Sequence, residues 1–235
     1  MKVIKIVHHS LCPALLCKRS VVVDLGANLG FFASEVASRF GCSLYAVEAS
    51  PDTFSRIQEE ARVQKFNFAI CGTSGYAALS ISTNPEATSL KRLVGCDYTH
   101  SIEVPALTLD GFLKSHNVSR VDLLKLDIEG AEIEVFDSCS DAFLRTIDQI
   151  TVEFHEWLGV SSAAEVENVI HRLKNLGFFC FDLVRANHSD VLFINASRMS
   201  LVSYVWTLLQ IWVPRLLAFL GRKSHLISHS RSNGN

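Results

Sequence analysis

Residues 21–40, VVVDLGANLGFFASEVASRF, set the architecture of the chain. The first five are apolar apart from Asp24, the composition of a strand covered on both faces of a parallel sheet. Gly26, Ala27, Asn28 and Gly30 then form a turn, and residues 31–40 read as a helix. A glycine-rich turn between strand and helix lets a ligand approach the backbone, and the free amides at a helix N-terminus favour an anionic group. A dinucleotide site has the spacing GxGxxG and a P-loop ends in GK[ST]; here the spacing is GxxxG with an acid two residues before it. An acid in that position repels a pyrophosphate but suits a ligand carrying both an ammonium and a carboxylate. S-adenosylmethionine is such a ligand.

The same alternation continues along the chain. Short aliphatic runs occupy 43–47, 67–70, 121–126, 149–154, 178–183 and 191–194. Between them lie helical stretches, most clearly 162–176, where Val166, Val169, Ile170, Leu173 and Leu176 share a face and Gly177 closes the C-terminus. A second, SPDTFSRIQEEARV over 50–63, has Ser50 as N-cap and Pro51 in its first turn. Strands alternating with helices predict an α/β fold, a doubly wound and mostly parallel sheet. Residues 73–108 break the rhythm with Gly75, Pro85, Gly95 and Pro105 around the alternating YAALSIS and SIEVPAL, which predicts a β-hairpin-like insertion over the carboxyl edge of the sheet. Glu48 ends the second strand 18 residues after Gly30, the place from which an acid accepts hydrogen bonds from ribose hydroxyls; a solvated strand-end carboxylate is the rival reading. Asp127 and Glu129 emerge after VDLLKL at the same edge. ITVEFHEW brings Glu153 and His155 to the neighbouring strand, on one face of it.

DLGANLG, AVEASPDTF, LKLDIEGAE and VEFHEW, in this order, resemble the FkbM family of S-adenosylmethionine-dependent methyltransferases from about Val21 to Ile194. LKLDIEGAE is the most family-specific stretch. The resemblance implies a seven-stranded class I methyltransferase sheet with a reversed final strand, S-adenosyl-L-methionine as cofactor, and O-methylation of a hydroxyl on a sugar, glycan, lipid or natural product. After the third strand AICGTSG has no acid for the adenine amine, so Ala69 and Ile70 are expected to meet adenine through backbone and apolar surface. Cofactor contacts are then expected from Asp24, Gly26, Ala27, Asn28, Gly30, Glu48, Ala69 and Ile70, with Asp127 and Glu129 at the methionine ammonium or at the acceptor. A hydroxyl acceptor calls for a general base. His155 suits neutral pH, Asp127 is the other candidate, and Glu153 is placed to orient the imidazole. Asp127, Glu153 and His155 also make a donor set for a divalent cation such as Mg²⁺, but three scattered residues do not define a site and no metal is expected.

The 235 residues are 49% hydrophobic and 20% charged, which excludes a disordered, collagen-like or coiled-coil chain. The net charge of -2 offers no whole-chain case for nucleic acid, yet it is divided unevenly: 196–235 carry five basic residues and no acid, leaving 1–195 at -7. Seven cysteines without a CxxC pair read as reduced thiols in a cytoplasmic protein. SLCPALLC imitates a signal peptide weakly, but cleavage there would begin the mature chain inside the first core strand. The division expected is an N-terminal extension (1–20), a methyltransferase domain (21–195) and a basic, apolar tail (196–235) with a helix over 201–220 and disorder over 224–235. In that helix Ser203, Thr207, Gln210 and Pro214 fall on one stripe, and Trp206 and Trp212 suit an interface. This predicts peripheral contact with a membrane surface, or packing on the body or a partner subunit. The rival to an enzyme is a non-catalytic nucleoside-binding or membrane-recruitment module with the same fold. A nicotinamide oxidoreductase is disfavoured by the glycine spacing.

Overall fold

The computed structural model, which describes residues 1–84 and 87–213, opens with an antiparallel hairpin of β1 (Ile4–Ile6) and β2 (His9–Leu11). The α/β body begins with β3 (Val21–Leu25), α1 (Phe31–Phe40), β4 (Ser43–Glu48), α2 (Pro51–Arg56) and β5 (Val63–Asn67). The insertion contributes β6 (Ala69–Ile70), β7 (Gly75–Ser82) and β8 (Tyr98–Leu107), a three-stranded sheet of order β6-β8-β7. The body resumes with α3 (Leu109–Ser115), β9 (Val121–Leu126), α4 (Glu132–Ser138), α5 (Asp141–Leu144), β10 (Ile147–Val152), α6 (Ala163–Asn175), β11 (Phe178–Asp182) and β12 (Val191–Asn195).

Seven strands form the main sheet in the order β11-β12-β10-β9-β3-β4-β5. β12 is antiparallel to both neighbours, the reversed strand that the resemblance implies. Strand residues next to each other in sequence serve opposite faces: Val23 and Leu124 pack with Phe112, Phe136 and Ile170, while Val22 and Leu123 pack with Phe32, Ala33 and Val36 of α1. This is why the runs are apolar throughout. α6 begins with a capping box between Ser162 and Glu165 and buries the predicted face.

The third strand of the main sheet is Val63–Asn67, earlier than the run 67–70 suggested. The helix after Pro51 ends at Arg56 because Ile57 turns extended and buries its side chain beneath Gly30, which frees Val63 to start a strand. Ala69–Ile70 leaves the main sheet and pairs with β8.

The N-terminal hairpin is bound to the sheet by polar contacts, most of them between buried residues. Asp190 accepts from the Ser10 amide (3.0 Å) and hydroxyl (2.8 Å) and pairs with Lys5 at 3.0 Å. The Gln149 side chain, on β10, exchanges two hydrogen bonds with the Cys12 backbone. At the other end of the chain, residues 201–213 are helical. Tyr204 stacks on Phe179 at 4.4 Å, and Thr207 accepts from the Met1 ammonium at 2.8 Å. The expected polar stripe therefore meets the body through Thr207, while Val202, Val205 and Trp206 face outward. Arg198, one of the five basic residues of the tail, is held by Asp148 at 2.6 Å. Residues 214–220 of the expected helix, and the expected disorder over 224–235, lie outside the described residues. Among the described residues no helix is long and apolar enough to cross a membrane. All seven cysteines are free thiols.

Asp190→Ala leaves two donors of Ser10 unpartnered in a buried position, and is expected to cost about 2–3 kcal/mol in urea-unfolding measurements. A loss below about 0.5 kcal/mol, the size of an ordinary surface substitution, would show that the hairpin is held by something else.

Candidate active site

The site forms where the carboxyl ends of β3, β4, β9 and β10 meet the insertion and the N-terminal hairpin. Its backbone is fixed by Gly26, whose φ is +75°; a Cβ there would lie 1.7 Å from the carbonyl oxygen of Asp127. The missing side chain at Gly26 is thus required by the protein's own backbone, which lets the turn after β3 touch the end of β9. Asp127 N donates to Leu25 O at 3.1 Å, and the amides of Gly26 and Ala27 both donate to Val47 O at 2.9 Å. Gly30, at φ +80°, starts α1 above Ile57.

Glu48 ends β4 and binds the loop: one carboxylate oxygen accepts from Asn28 N at 2.9 Å, the other from Ser50 N at 2.8 Å. Burial raises its pKa, and these two bonds offset part of the rise. Each oxygen retains acceptor capacity for a ligand hydroxyl. Asp24 is fully buried and faces Lys125, with Nζ at 3.0 Å. Lys125 projects from β9, where all six residues are buried, and also donates to Gly26 O at 2.7 Å. Burial works against its charge, but Asp24 and Asp127 outweigh burial and hold the ammonium above its ordinary pKa. For Asp127, burial is likewise outweighed by Lys125, His9 and His155, so its carboxyl titrates well below the usual range.

His155 lies just past β10, with its ring between carboxylates. Nδ1 is 3.0 Å from Glu132 Oε1, and Nε2 is 3.3 Å from Glu129 Oε2 and 3.7 Å from Asp127 Oδ1. Glu132 in turn accepts from the amides of Ile128 and Gly130, which ties the loop after β9 to the histidine. Burial favours the neutral ring, but Glu132, Glu129 and Asp127 prevail and push its pKa up to about 10. Burial and the surrounding carboxylates push Glu129 to about 8 and Glu153 to about 7. His9 enters from β2 and places Nε2 3.2 Å from Asp127 Oδ2.

Two cavities open on this cluster. One has a wall of Val47, Phe68, Ala69, Ile70, Leu79 and Leu90, with Glu48 at its side. The other takes in His9, Phe31, Arg56, Lys125, Glu153 and His155. They share Gly26, Asn28, Thr53, Asp127 and Glu129. Of the residues singled out from sequence, Gly26, Asn28, Glu48, Ala69, Ile70, Asp127 and Glu129 line the first cavity. Ala27, Glu153 and His155 line the second. Gly30 lies outside both, and Asp24 lines neither but sits beneath them. Sequence reasoning missed His9, Lys125 and Glu132. A lysine in a mostly apolar strand signals a buried ion pair, whereas nothing local marks His9.

His9, Asp127 and Glu153, and likewise Asp127, Glu129 and His155, bring potential ligand atoms within 4.8 Å of one another. The positive charge a divalent cation would supply is already provided by Lys125, 3.5 Å from Asp127 Oδ2, and by the His155 imidazolium. A metal would have to compete with these two groups for the same carboxylates, and none is assigned to the cluster.

The family model "Methyltransferase FkbM domain" matches residues 24–180, two thirds of the chain, and the chain belongs to that family. The seven-stranded sheet with its reversed strand is the architecture that the resemblance implied. "Methyltransferase 1" of Beauveria bassiana is 27% identical over 171 residues, 62% of this chain and 69% of that protein. "Hexuronic acid methyltransferase AglP" of Haloferax volcanii is 26% identical over 140 residues, 57% of this chain and 56% of that protein. The chain thus spans little more than half the length of the second relative. Among solved structures, precorrin-6y C5,15-methyltransferase from Geobacter metallireducens aligns with a TM-score of 0.42 at 11% identity, covering 71% of this chain and 67% of that one.

Lys125→Met would strand Asp24 as an unpaired buried charge, with an expected loss of about 3–5 kcal/mol in chemical denaturation. Adding Asp24→Asn to the same chain should recover most of it; no recovery would mean that the pair is not the origin of the loss.

Proposed function

We propose that the chain is an S-adenosylmethionine-dependent O-methyltransferase whose acceptor is a hydroxyl-bearing sugar or a sugar-containing molecule. The observation that carries this reading is the junction of the two cavities at Asp127. The first cavity has the apolar wall and the strand-end acid that an adenosine requires, and the second has the polar groups that an acceptor hydroxyl requires. A cofactor lying along the first would present its sulfonium methyl near Asp127 and Glu129, at the entrance to the second. The FkbM family supports methyl transfer, and the name of the Haloferax relative supports a sugar.

Transfer from a sulfonium is an in-line displacement. The acceptor oxygen bonds to the methyl carbon as the carbon–sulfur bond breaks, S-adenosylhomocysteine leaves, and the hydroxyl proton passes to a base. Glu153 takes the part expected of His155: its carboxyl, raised to about 7, changes protonation near neutral pH, whereas His155 near 10 remains an imidazolium. His155 then orients Asp127 and Glu129 and holds the loop after β9 through Glu132.

Calorimetric titration with S-adenosylhomocysteine tests the cofactor reading. The wild type should bind, and Glu48→Ala should weaken binding by about tenfold or more through loss of the ribose contact and of the loop. A wild type that does not bind would overturn the reading. The proton step is tested by turnover on a panel of methyl glycosides, hexuronosides included. A base must be deprotonated to act, so kcat should rise as pH increases through about 7 and then level. Glu153→Gln should remove that rise and lower kcat by about 10²–10⁴. A rise continuing to about pH 10 would return the base to His155.

A further inference from the structure

We infer that His9, delivered by the N-terminal hairpin, is a positioning residue of the cofactor site that holds Asp127 turned toward the methionine ammonium. The inference rests on the reading of the first cavity as the nucleoside cleft. It concerns a part of the chain outside the matched family region of 24–180.

His9 is 1% exposed, although Val7 and His8 beside it in the hairpin turn are exposed. A polar ring buried to that degree needs a partner, and its partner is Asp127. Of the three groups around the Asp127 carboxylate, His9 alone is within hydrogen-bond distance: Nε2 lies 3.2 Å from Oδ2, Lys125 Nζ 3.5 Å from the same oxygen, and His155 Nε2 3.7 Å from Oδ1. His9 occupies Oδ2, and Oδ1 is left for a donor at the meeting of the two cavities.

The choice of histidine has a physical reason. Asp127 is ionised and can only accept, so His9 donates its Nε2 proton, and its buried Nδ1 has no partner. Protonating Nδ1 would place a second charge where no group receives it, and burial keeps the ring neutral. His9 thus gives Asp127 a directed hydrogen bond without a positive charge that would compete with the cofactor's ammonium. A second lysine would orient the same carboxylate and neutralise it. The ring itself is fixed, edge-on to Phe32 at 5.7 Å, and the strand that carries it is fixed by Asp190 and Gln149.

The test compares two ligands by calorimetry at pH 7.5. S-adenosylhomocysteine carries the ammonium; 5′-methylthioadenosine has the same nucleoside without the amino-acid end. His9→Phe should weaken S-adenosylhomocysteine by about tenfold, the size of one lost charge-assisted contact, and leave methylthioadenosine within about twofold. His9→Gln, whose amide N–H reaches the position of Nε2, should restore most of the difference. His9→Asn, too short to reach, should behave like His9→Phe and serves in its place if the phenyl ring prevents folding. Equal weakening of both ligands, or of neither, would overturn the inference. A wild type that binds neither ligand would overturn the nucleoside reading beneath it, which is a different result from a wild type that binds both and ignores His9.

Discussion

The structure depends on one buried ammonium. Lys125 stands in the middle of the sheet, on a strand with no exposed residue, and reaches Asp24 on β3, Asp127 at the end of its own strand and the carbonyl of Gly26 between them. An isolated charge in such a place is prohibitive; one shared by two carboxylates and a carbonyl is tolerated and fixes all of them. Gly26 completes the arrangement, because only a residue without a side chain lets the β3 turn lie against the Asp127 backbone. The cofactor loop and the end of β9 are therefore one unit, and neither can shift without unpairing a buried charge.

From that unit outward the site is a balance of carboxylates against few cations. Asp127, beside Lys125, is held ionised, whereas Glu129 and Glu153, further from it, are raised into the neutral range by burial and by the carboxylates of Asp127 and Glu132. One cluster thus contains a permanent anion, suited to an ammonium, and acids able to exchange a proton near pH 7. His155 is drawn into the role of a cation by the same carboxylates, which explains why the residue type best matched to neutral pH is not the one that titrates there.

Much of the fold and of the site was legible in the sequence, and the parts that were not share a cause. β3 and β9 were readable to the residue because each is a run dominated by Val and Leu that ends at a turn marked by Gly26 or Asp127, and α6 because its caps and apolar face agree. The third strand was displaced because VQKFN alternates weakly and the helical pattern before it ran on past Ile57. The acids at the carboxyl edge were readable as a group, since βαβ topology delivers every strand end to one side. Their individual roles were not, because a role depends on which neighbour lies within 3 to 4 Å, and those neighbours come from residues 9, 125, 132 and 153. The polar stripe of the C-terminal helix was visible as periodicity, but periodicity does not say which side meets the protein; the Met1 ammonium on Thr207 does.

Local chemistry in the chain was enough to establish an α/β sheet, a glycine turn beside an acid, a strand-end glutamate and the family to which these belong, because each is written in consecutive residues whose backbone preferences and burial agree. Folding added the contacts that join distant segments. Asp24 received a lysine as its partner, His155 was enclosed by carboxylates, and a hairpin beyond the family's matched region brought His9 to Asp127. Protonation and hydrogen bonding are properties of distances in space, and those distances exist only once strands far apart in sequence lie side by side.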